Sequence, residues 1–269
     1  MRLPNAPLAE VIFELRWKVE GVPGTPPGFP FGNDPGYPIF ARIFSEKATK
    51  QGFPIKESAR PGEVAPIAYM TRERFKRAAD KPFPVLQIGP GVFACNASTE
   101  YEWPLFKALI AEGLELVFDS YPITEVTRHD LIGCELRYLD VFDQSLLGHL
   151  DFLKFFTENT NGYRLDLPFL ADELLHGETS GQLNIEKGVA FDKETRFHFE
   201  VGTGESPSAK GLVAWSKVTK NSDSMKLDEA KKEKIGALLS WAESAHDVTH
   251  KFFHGFVAQN LMEKFKTVK

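Results

Sequence analysis

Cysteine is scarce in this chain: two of its 269 residues, Cys95 and Cys134, carry a thiol. Both lie in apolar, strand-like stretches, and a disulfide between them would require a secreted setting. We therefore predict two buried free thiols. Long apolar runs are also missing, because no stretch approaches the ~18 residues that a membrane-spanning helix needs. The N-terminus lacks the apolar segment of a secretory signal, so the sequence predicts a cytoplasmic protein without membrane contact.

Basic residues are in the minority, with 32 Lys and Arg against 37 Asp and Glu, for a net charge of −5. No overall field therefore attracts nucleic acid or anionic lipid. The densest basic cluster comprises Arg72, Arg74, Lys76, Arg77 and Lys81, with the aromatic residues Phe75 and Phe83 nearby. Such a pattern can grip single-stranded nucleic acid. The acidic total and the intervening Glu73 favour an ordinary solvated surface instead.

The motifs that define common active sites are absent. The sequence has no Gly-x-Ser-x-Gly nucleophile elbow and no Gly-Lys-Ser/Thr phosphate loop. Gly202-Thr203-Gly204 lies in a Ser/Pro-rich stretch with no helix behind it, so it is not a dinucleotide fingerprint. A nuclease-like set of Glu14, Lys18, Glu135 and Asp140 can be assembled, but no spacing favours it.

Phenylalanine is abundant, with 23 residues, and the 42% hydrophobic content predicts a substantial core. Residues 10–19 show the clearest strand pattern, because Val11, Phe13, Leu15 and Trp17 alternate with mostly charged positions. One apolar face and one charged face are typical of an antiparallel sheet covered on one side. The sequence therefore predicts an α+β fold with helices on one face of an antiparallel sheet.

Residues 84–96 predict a hairpin around Gly89-Pro90-Gly91. Proline fixes one φ angle and the glycines tolerate positive φ, so we interpret the turn as structural, with positive φ at Gly91. The alternative is that its open backbone amides bind an anionic ligand. A following helix, residues 101–119, is predicted to pack back on the hairpin through Trp103 and Phe106.

The remaining elements suggest two halves, residues 1–143 and 144–269, or one compact domain. The first half has the β-α-β-β-α-β order of ferredoxin-like folds, with a Pro/Gly-rich loop between Gly21 and Pro38. Further elements are predicted as helices at residues 39–51 and 146–157, strands at 67–75, 125–142, 181–191, 195–201 and 211–219, an apolar piece at 165–175 and an exposed loop at 202–208. A long C-terminal helix, from about residue 224 to residue 266, is predicted to break near Gly236 or Gly255.

Acidic and histidine side chains recur along the C-terminal helix. Glu243, His246 and His250 fall on one side of adjacent turns, a spacing with which helices build metal sites. A second Glu-x-x-His pair, Glu173 and His176, lies elsewhere. Such pairs also arise by chance in helices, so the favoured interpretation is that His246 borders the core. A bound metal remains the alternative, and the sequence identifies no cofactor.

Three segments carry a family resemblance: residues 7–17 (PLAEVIFELRW), 86–96 (LQIGPGVFACN) and 101–106 (YEWPLF). Together they resemble an uncharacterised, sporadically distributed family of bacterial proteins of about this length. The resemblance implies no activity. A sporadic distribution is typical of accessory or mobile-element genes, including those of phage defence.

Two functional hypotheses follow from the sequence. The first is a non-enzymatic binding or regulatory protein that forms a homodimer through the apolar side chains Phe252, Phe253 and Phe256, with a protein partner as a further option. The second is a metal-dependent enzyme centred on Glu243, His246 and His250.

Overall fold

The computed structural model describes residues 6–21, 32–58, 67–98, 101–122, 130–143, 184–190, 194–206, 209–226, 231–257 and 259–266. The predicted helix at 146–157, the apolar piece at 165–175, the Glu173/His176 pair and most of the loop between Gly21 and Pro38 lie outside these ranges.

Eleven strands and four helices are found in these ranges. The strands are β1 Leu8–Trp17, β2 Glu20–Gly21, β3 Gly32–Asn33, β4 Ile55–Ser58, β5 Glu73–Lys76, β6 Val85–Gly89, β7 Val92–Ala97, β8 Asp130–Asp143, β9 Asn184–Ala190, β10 Thr195–Ser206 and β11 Ala209–Lys226. The helices are α1 Tyr37–Lys50, α2 Trp103–Ser120, α3 Lys231–Phe256 and α4 Gln259–Lys266. None of these helices is long and apolar enough to cross a membrane.

Nine strands form one antiparallel sheet in the order β4-β5-β6-β7-β1-β8-β11-β10-β9, and β2 pairs with β3 separately. The predicted α+β class with an antiparallel sheet is confirmed. The ferredoxin-like order is not, because β1 pairs antiparallel with both neighbours, β7 and β8. Strands β4 to β7 form a meander in which each strand pairs with the next along the chain, so no crossover to a parallel neighbour is required there. Long pairing between β8 and β11 joins strands of both chain halves in one sheet.

The helices cover the face of the sheet that carries the apolar residues of β1. Val11, Phe13, Leu15 and Trp17 are all fully buried. Trp17 makes an edge contact with Phe40 of α1, with ring centroids 5.7 Å apart. Phe13 contacts Trp241 of α3 at 6.5 Å. The alternation in β1 therefore separates a helix-covered face from a face that carries Glu14 and Arg16.

The predicted hairpin is present, with Pro90 and Gly91 between β6 and β7. Gly91 has a φ of +72°, a left-handed conformation that glycine adopts without strain. Helix α2 packs on β7 at Gly113, where an added Cβ would lie 2.3 Å from Cζ of Phe93. Trp103, which was predicted to make the helix–hairpin contact, stacks on His246 of α3.

Three predicted boundaries differ in the structure. The strand expected from residue 67 begins at Glu73, after a turn in which Tyr69 has a φ of +62°. The loop expected at 202–208 continues β10 to Ser206, because backbone pairing with β11 does not depend on side-chain alternation. The C-terminal helix begins at Lys231, since β11 extends to Lys226. The predicted break near Gly255 is confirmed, because α3 ends at Phe256 and α4 begins at Gln259.

Candidate functional site

A cavity of about 710 Å³ lies between the first residues of β1, the start of α2, strands β8 and β11, and helices α3 and α4. Its size is within the range of small-molecule sites, roughly 300–1,000 Å³. The lining combines aromatic rings with polar groups from distant parts of the chain. Its described members are Ala6, Leu8, Ser98, Tyr101, Glu102, Trp103, Pro104, Tyr138, Asp140, Ser216, His246, Thr249, His250, Phe253, His254, Met262 and Lys266.

A chain of hydrogen bonds forms one wall of the cavity. The hydroxyl oxygens of Tyr101 and Tyr138 are 2.9 Å apart, and the Tyr138 hydroxyl lies 2.8 Å from Nδ1 of His246. Trp103 stacks on the His246 ring, with centroids 4.2 Å apart and planes 10° from parallel. Burial raises the pKa of both tyrosines. Burial and the neighbouring His250 lower the pKa of His246 to about 4, so this wall is uncharged at neutral pH.

Asp140 is the buried acidic group of the cavity. Residues of one parity in β8 face the helices, so Asp140 lies on the same side as Leu136, Tyr138 and Phe142. Its side chain is 8% exposed. None of the hydrogen bonds and ion pairs found among the described residues involves its carboxyl group. Burial alone raises its pKa to about 7.

Aromatic rings surround Asp140 on the side away from the tyrosines. Together with Ser216 and Ala214 of β11, they line a small void next to the main cavity: Phe142, Phe199, Phe252 and Phe253. Phe252 packs on Phe199 with centroids 4.5 Å apart. Asp140 therefore lines both the main cavity and this mostly aromatic void.

The predicted metal-binding residues are only partly brought together. The carboxylate of Glu243 accepts hydrogen bonds from Nε1 of Trp103, at 2.9 Å, and from Nζ of Lys107. These two donors hold the pKa of Glu243 below its usual value. Nε2 of His250 lies 3.1 Å from Nε2 of His254, while His246 contacts Tyr138.

Within the described part of the chain, no group of three or more His, Cys, Asp or Glu side chains is arranged to hold a metal ion. His246 lies at the cavity wall, where its ring stacks on Trp103 and contacts the hydroxyl of Tyr138.

The basic cluster is interleaved with carboxylates. Lys76 forms an ion pair with Glu57, and Arg77 donates to Glu112 at 2.9 Å. The guanidinium of Arg77 also lies over the ring of Phe53, 4.7 Å from its centroid. Arg72 precedes β5 and Arg74 lies in it, with its Nε atom buried. The structure therefore offers no row of open cations here among the residues described.

The Gly-Pro-Gly turn is tied to an internal carboxylate. The backbone N–H of Gly91 donates to Oδ2 of the buried Asp34 at 3.2 Å. Asp34 also accepts hydrogen bonds from Nε1 of Trp17, at 3.1 Å, and from the hydroxyl of Tyr121, at 2.8 Å. Gly89 cannot carry a side chain, since its Cβ would lie 1.9 Å from the carbonyl oxygen of Met70. The backbone amide of Gly91 therefore stabilises the turn from within the fold and is not open to an external anion.

The nuclease-like set does not assemble. Glu135 is paired opposite Glu14 on the face away from the main helices and forms an ion pair with Arg137 at 2.8 Å, whereas Asp140 faces the cavity. Sequence reasoning missed Tyr101 and Tyr138, and it saw Asp140 only as part of this set. The sequence did contain a signal for Asp140, because it occupies a position in β8 at which the alternation of the strand predicts an apolar side chain.

No protein-family model, curated protein or solved structure matches the chain.

Proposed function

We propose that the protein binds a small organic molecule in the cavity between α2, β8 and α3, and that it acts as a binding or regulatory protein. The observation that carries this proposal is the unpartnered carboxyl group of Asp140 at the cavity wall. A buried polar group without a partner costs about 1–3 kcal/mol in proteins. A ligand that supplies the missing hydrogen-bond or ion-pair partner would remove this destabilisation when it binds.

The cavity walls are suited to binding because they are held in place without a ligand. The hydrogen bonds from Tyr101 to Tyr138 and from Tyr138 to His246 fix three side chains from different elements. Stacking of Trp103 on His246 joins α2 to α3 at the same point. Preformed walls lower the ordering cost of binding.

Chemistry at a cysteine is disfavoured by the environment of both thiols. Cys95 and Cys134 are buried and free, as the sequence predicts. Burial raises the pKa of Cys134 to about 12 and that of Cys95 further. A thiol that stays protonated at neutral pH is a poor nucleophile, which supports binding over covalent catalysis.

A fragment screen by ligand-observed NMR tests the binding proposal. We expect fragments that bind the wild-type protein at one site and lose binding in Ser216→Phe, which places a ring in the cavity. Ser240→Phe adds the same ring at an exposed position of α3 and is the matched control. The proposal fails if no fragment binds, or if every fragment binds wild type and Ser216→Phe equally.

Metal-dependent catalysis is the competing hypothesis, and it makes a separate prediction. Protein that retains about one equivalent of zinc, iron or manganese, and loses it in His246→Ala, would favour the enzyme. The engagement of Glu243 by Trp103 and Lys107 supports the binding protein instead.

Self-association also remains a prediction. Phe252 packs on Phe197 and Phe199 of β10, with centroids 4.9 and 4.5 Å apart, and Phe253 lines the cavity. The dimer prediction depended on three phenylalanine side chains, and two of them, Phe252 and Phe253, therefore make contacts within the chain. Sedimentation at micromolar concentration distinguishes a 30.2 kDa monomer from a dimer. The family resemblance and an accessory role, including phage defence, likewise remain predictions.

A further inference from the structure

We infer that the ligand of the cavity is a small organic cation, an alkylated ammonium compound that pairs with Asp140 and contacts the surrounding aromatic rings. This inference rests on the proposed binding function and adds the chemical class of the ligand.

The first argument is charge. Asp140 is more than nine-tenths buried, has no hydrogen-bond or ion-pair partner among the described residues, and opens onto the cavity. When such a carboxyl group is ionised, a counter-charge stabilises it, and a bound cation provides one. Lys266 reaches the cavity lining, but its ammonium group donates to Glu263 at 2.6 Å on the surface. A ligand cation therefore has no close competitor in that contact.

The second argument is the nature of the walls. Aromatic rings from three elements line the same cavity as Asp140: Tyr101 and Trp103 around the start of α2, Tyr138 of β8 and Phe253 of α3. The negative faces of aromatic rings attract cations, and cages of this kind recognise quaternary ammonium groups. The Asp140 carboxyl is near enough to both tyrosines to raise their pKa. The carboxyl group of Asp140 and the aromatic rings therefore lie close enough together for one ligand to contact both.

Other ligand classes fit less well. A metal ion needs several oxygen, nitrogen or sulfur ligands at short distance, and Asp140 and the three histidines of the lining are not arranged as such a group. An anion would be repelled by Asp140 and by Glu102 at the rim. A strongly hydrogen-bonding sugar or peptide would need many free donors and acceptors, whereas the hydroxyl groups of Ser98 and Thr249 in the lining already donate to backbone carbonyls. An alkylated ammonium group needs few hydrogen bonds, which matches the walls.

Binding should also depend on pH, because a cation prefers the ionised carboxyl group. The pKa of Asp140 is about 7, so affinity should rise between pH 5.5 and pH 8.5. The other charged or titratable groups that face the cavity come from the start of α2 (Tyr101, Glu102), from β8 (Tyr138), from α3 (His246, His250, His254) and from α4 (Lys266). Burial lowers the pKa of the three histidines, so they are neutral through most of this interval.

Calorimetric titration of the full chain with choline, tetramethylammonium and tetraethylammonium tests the inference. The matched neutral probe is 3,3-dimethyl-1-butanol, which replaces the nitrogen of choline by carbon. We expect at least one cation to bind with one-to-one stoichiometry, and choline to bind about tenfold or more tightly than the alcohol. This comparison requires no variant.

Variants then locate the contact. Asp140→Asn should weaken cation binding by about tenfold or more and remove its rise with pH. Glu14→Gln removes another buried carboxyl group of raised pKa, on the opposite face of the sheet, and should bind as wild type does. Tyr101→Leu, which removes an aromatic face, should weaken cation binding without weakening binding of the alcohol.

The inference is overturned if none of the three cations binds, if the alcohol binds as tightly as choline, or if folded Asp140→Asn retains wild-type affinity. Loss of binding in Glu14→Gln as well would show an effect of overall charge and would also overturn it. If fragments bind wild type but not Ser216→Phe, and no cation binds, the proposed binding function is supported and the proposed ligand class is wrong. When neither fragments nor cations bind, both proposals fall.

Discussion

Replacing Asp140 by asparagine should stabilise the ligand-free protein at alkaline pH. The carboxyl group has a pKa of about 7 in the folded protein, against an ordinary value of 3.8. The folded state therefore holds this proton more tightly than the unfolded state does. Below about pH 3 the group is neutral in both states. As pH rises from about 4 to about 7, the unfolded chain ionises first, and wild-type stability falls.

The size of the effect follows from the difference of about 3 pH units, which corresponds to about 4 kcal/mol above pH 7. Water entering the cavity would relax part of this penalty, so we expect Asp140→Asn to gain about 2–4 kcal/mol over wild type at pH 8. At pH 4 the two proteins should differ by less than about 1 kcal/mol, because Asp140 is protonated in the folded protein and only about half ionised in the unfolded chain.

Urea unfolding of both proteins at pH 4, 6 and 8 measures this difference directly. His246 has a lowered pKa, so it makes both proteins less stable as pH falls below about 6.5, and this contribution largely cancels in the comparison. Asp80→Asn, at an exposed position outside the cavity, should show no comparable gain. A difference between wild type and Asp140→Asn that does not change with pH, or a less stable variant at pH 8, would refute the reasoning.

Four further substitutions test which contacts stabilise the framework. Asp34→Ala should cost about 3–5 kcal/mol in urea unfolding, because several buried donors, including the N–H of Gly91, lose a carboxylate acceptor; a loss below 1 kcal/mol would contradict this. Gly91→Val should lower the free energy of unfolding by about 1–3 kcal/mol in the same assay, because a β-branched residue is strained at a φ of +72°. Unchanged stability would show that the turn rearranges without cost. Gly113→Ala should destabilise by about 1–3 kcal/mol through its clash with Phe93, whereas Gly236→Ala, with nothing within 4 Å, should stabilise α3 by up to about 1 kcal/mol; equal thermal shifts in the two alanine variants would contradict the packing argument.

The sequence predicts those elements whose pattern is local. Strand β1 is evident because its apolar side chains alternate over ten residues, and the hairpin is evident because Gly-Pro-Gly interrupts two apolar runs. The break after α3 is evident from Gly255 and from the physical length of an unbroken helix.

The order of strands in the sheet is not a local property. Strand β1 pairs with β7 and β8, which follow it by about 80 and 120 residues in the printed sequence, and nothing within β1 names either partner. Strand β10 shows a related limit. It passes through Gly202 and Gly204, whose composition indicates a loop, and it remains a strand because β11 supplies backbone partners.

The candidate site is less predictable than the fold for the same reason. Tyr101, Tyr138 and His246 are ordinary residues in their own segments, and their hydrogen bonds exist only because β8 places one between the other two. Asp140 differs, because an acidic residue at an apolar-phase position conflicts with the pattern of its strand. Conflicts between local pattern and burial concentrate at functional sites, so this signal can be used in a sequence before a structure is known.

The cost of Asp140 and its proposed role can be measured in one experiment, because a bound cation should reduce the difference in stability between the two proteins. Without ligand, Asp140→Asn is the more stable protein at pH 8. A cation present at about 100 times its Kd for wild type adds about 2.7 kcal/mol to wild type and about 1.4 kcal/mol to a variant that binds it tenfold more weakly. Choline, or whichever tested cation binds, should therefore narrow the difference by about 1.3 kcal/mol or more in urea unfolding at pH 8, with little effect at pH 4. If the cation stabilises both proteins equally at pH 8, its binding does not use the Asp140 carboxylate, and the conflict in β8 requires another explanation.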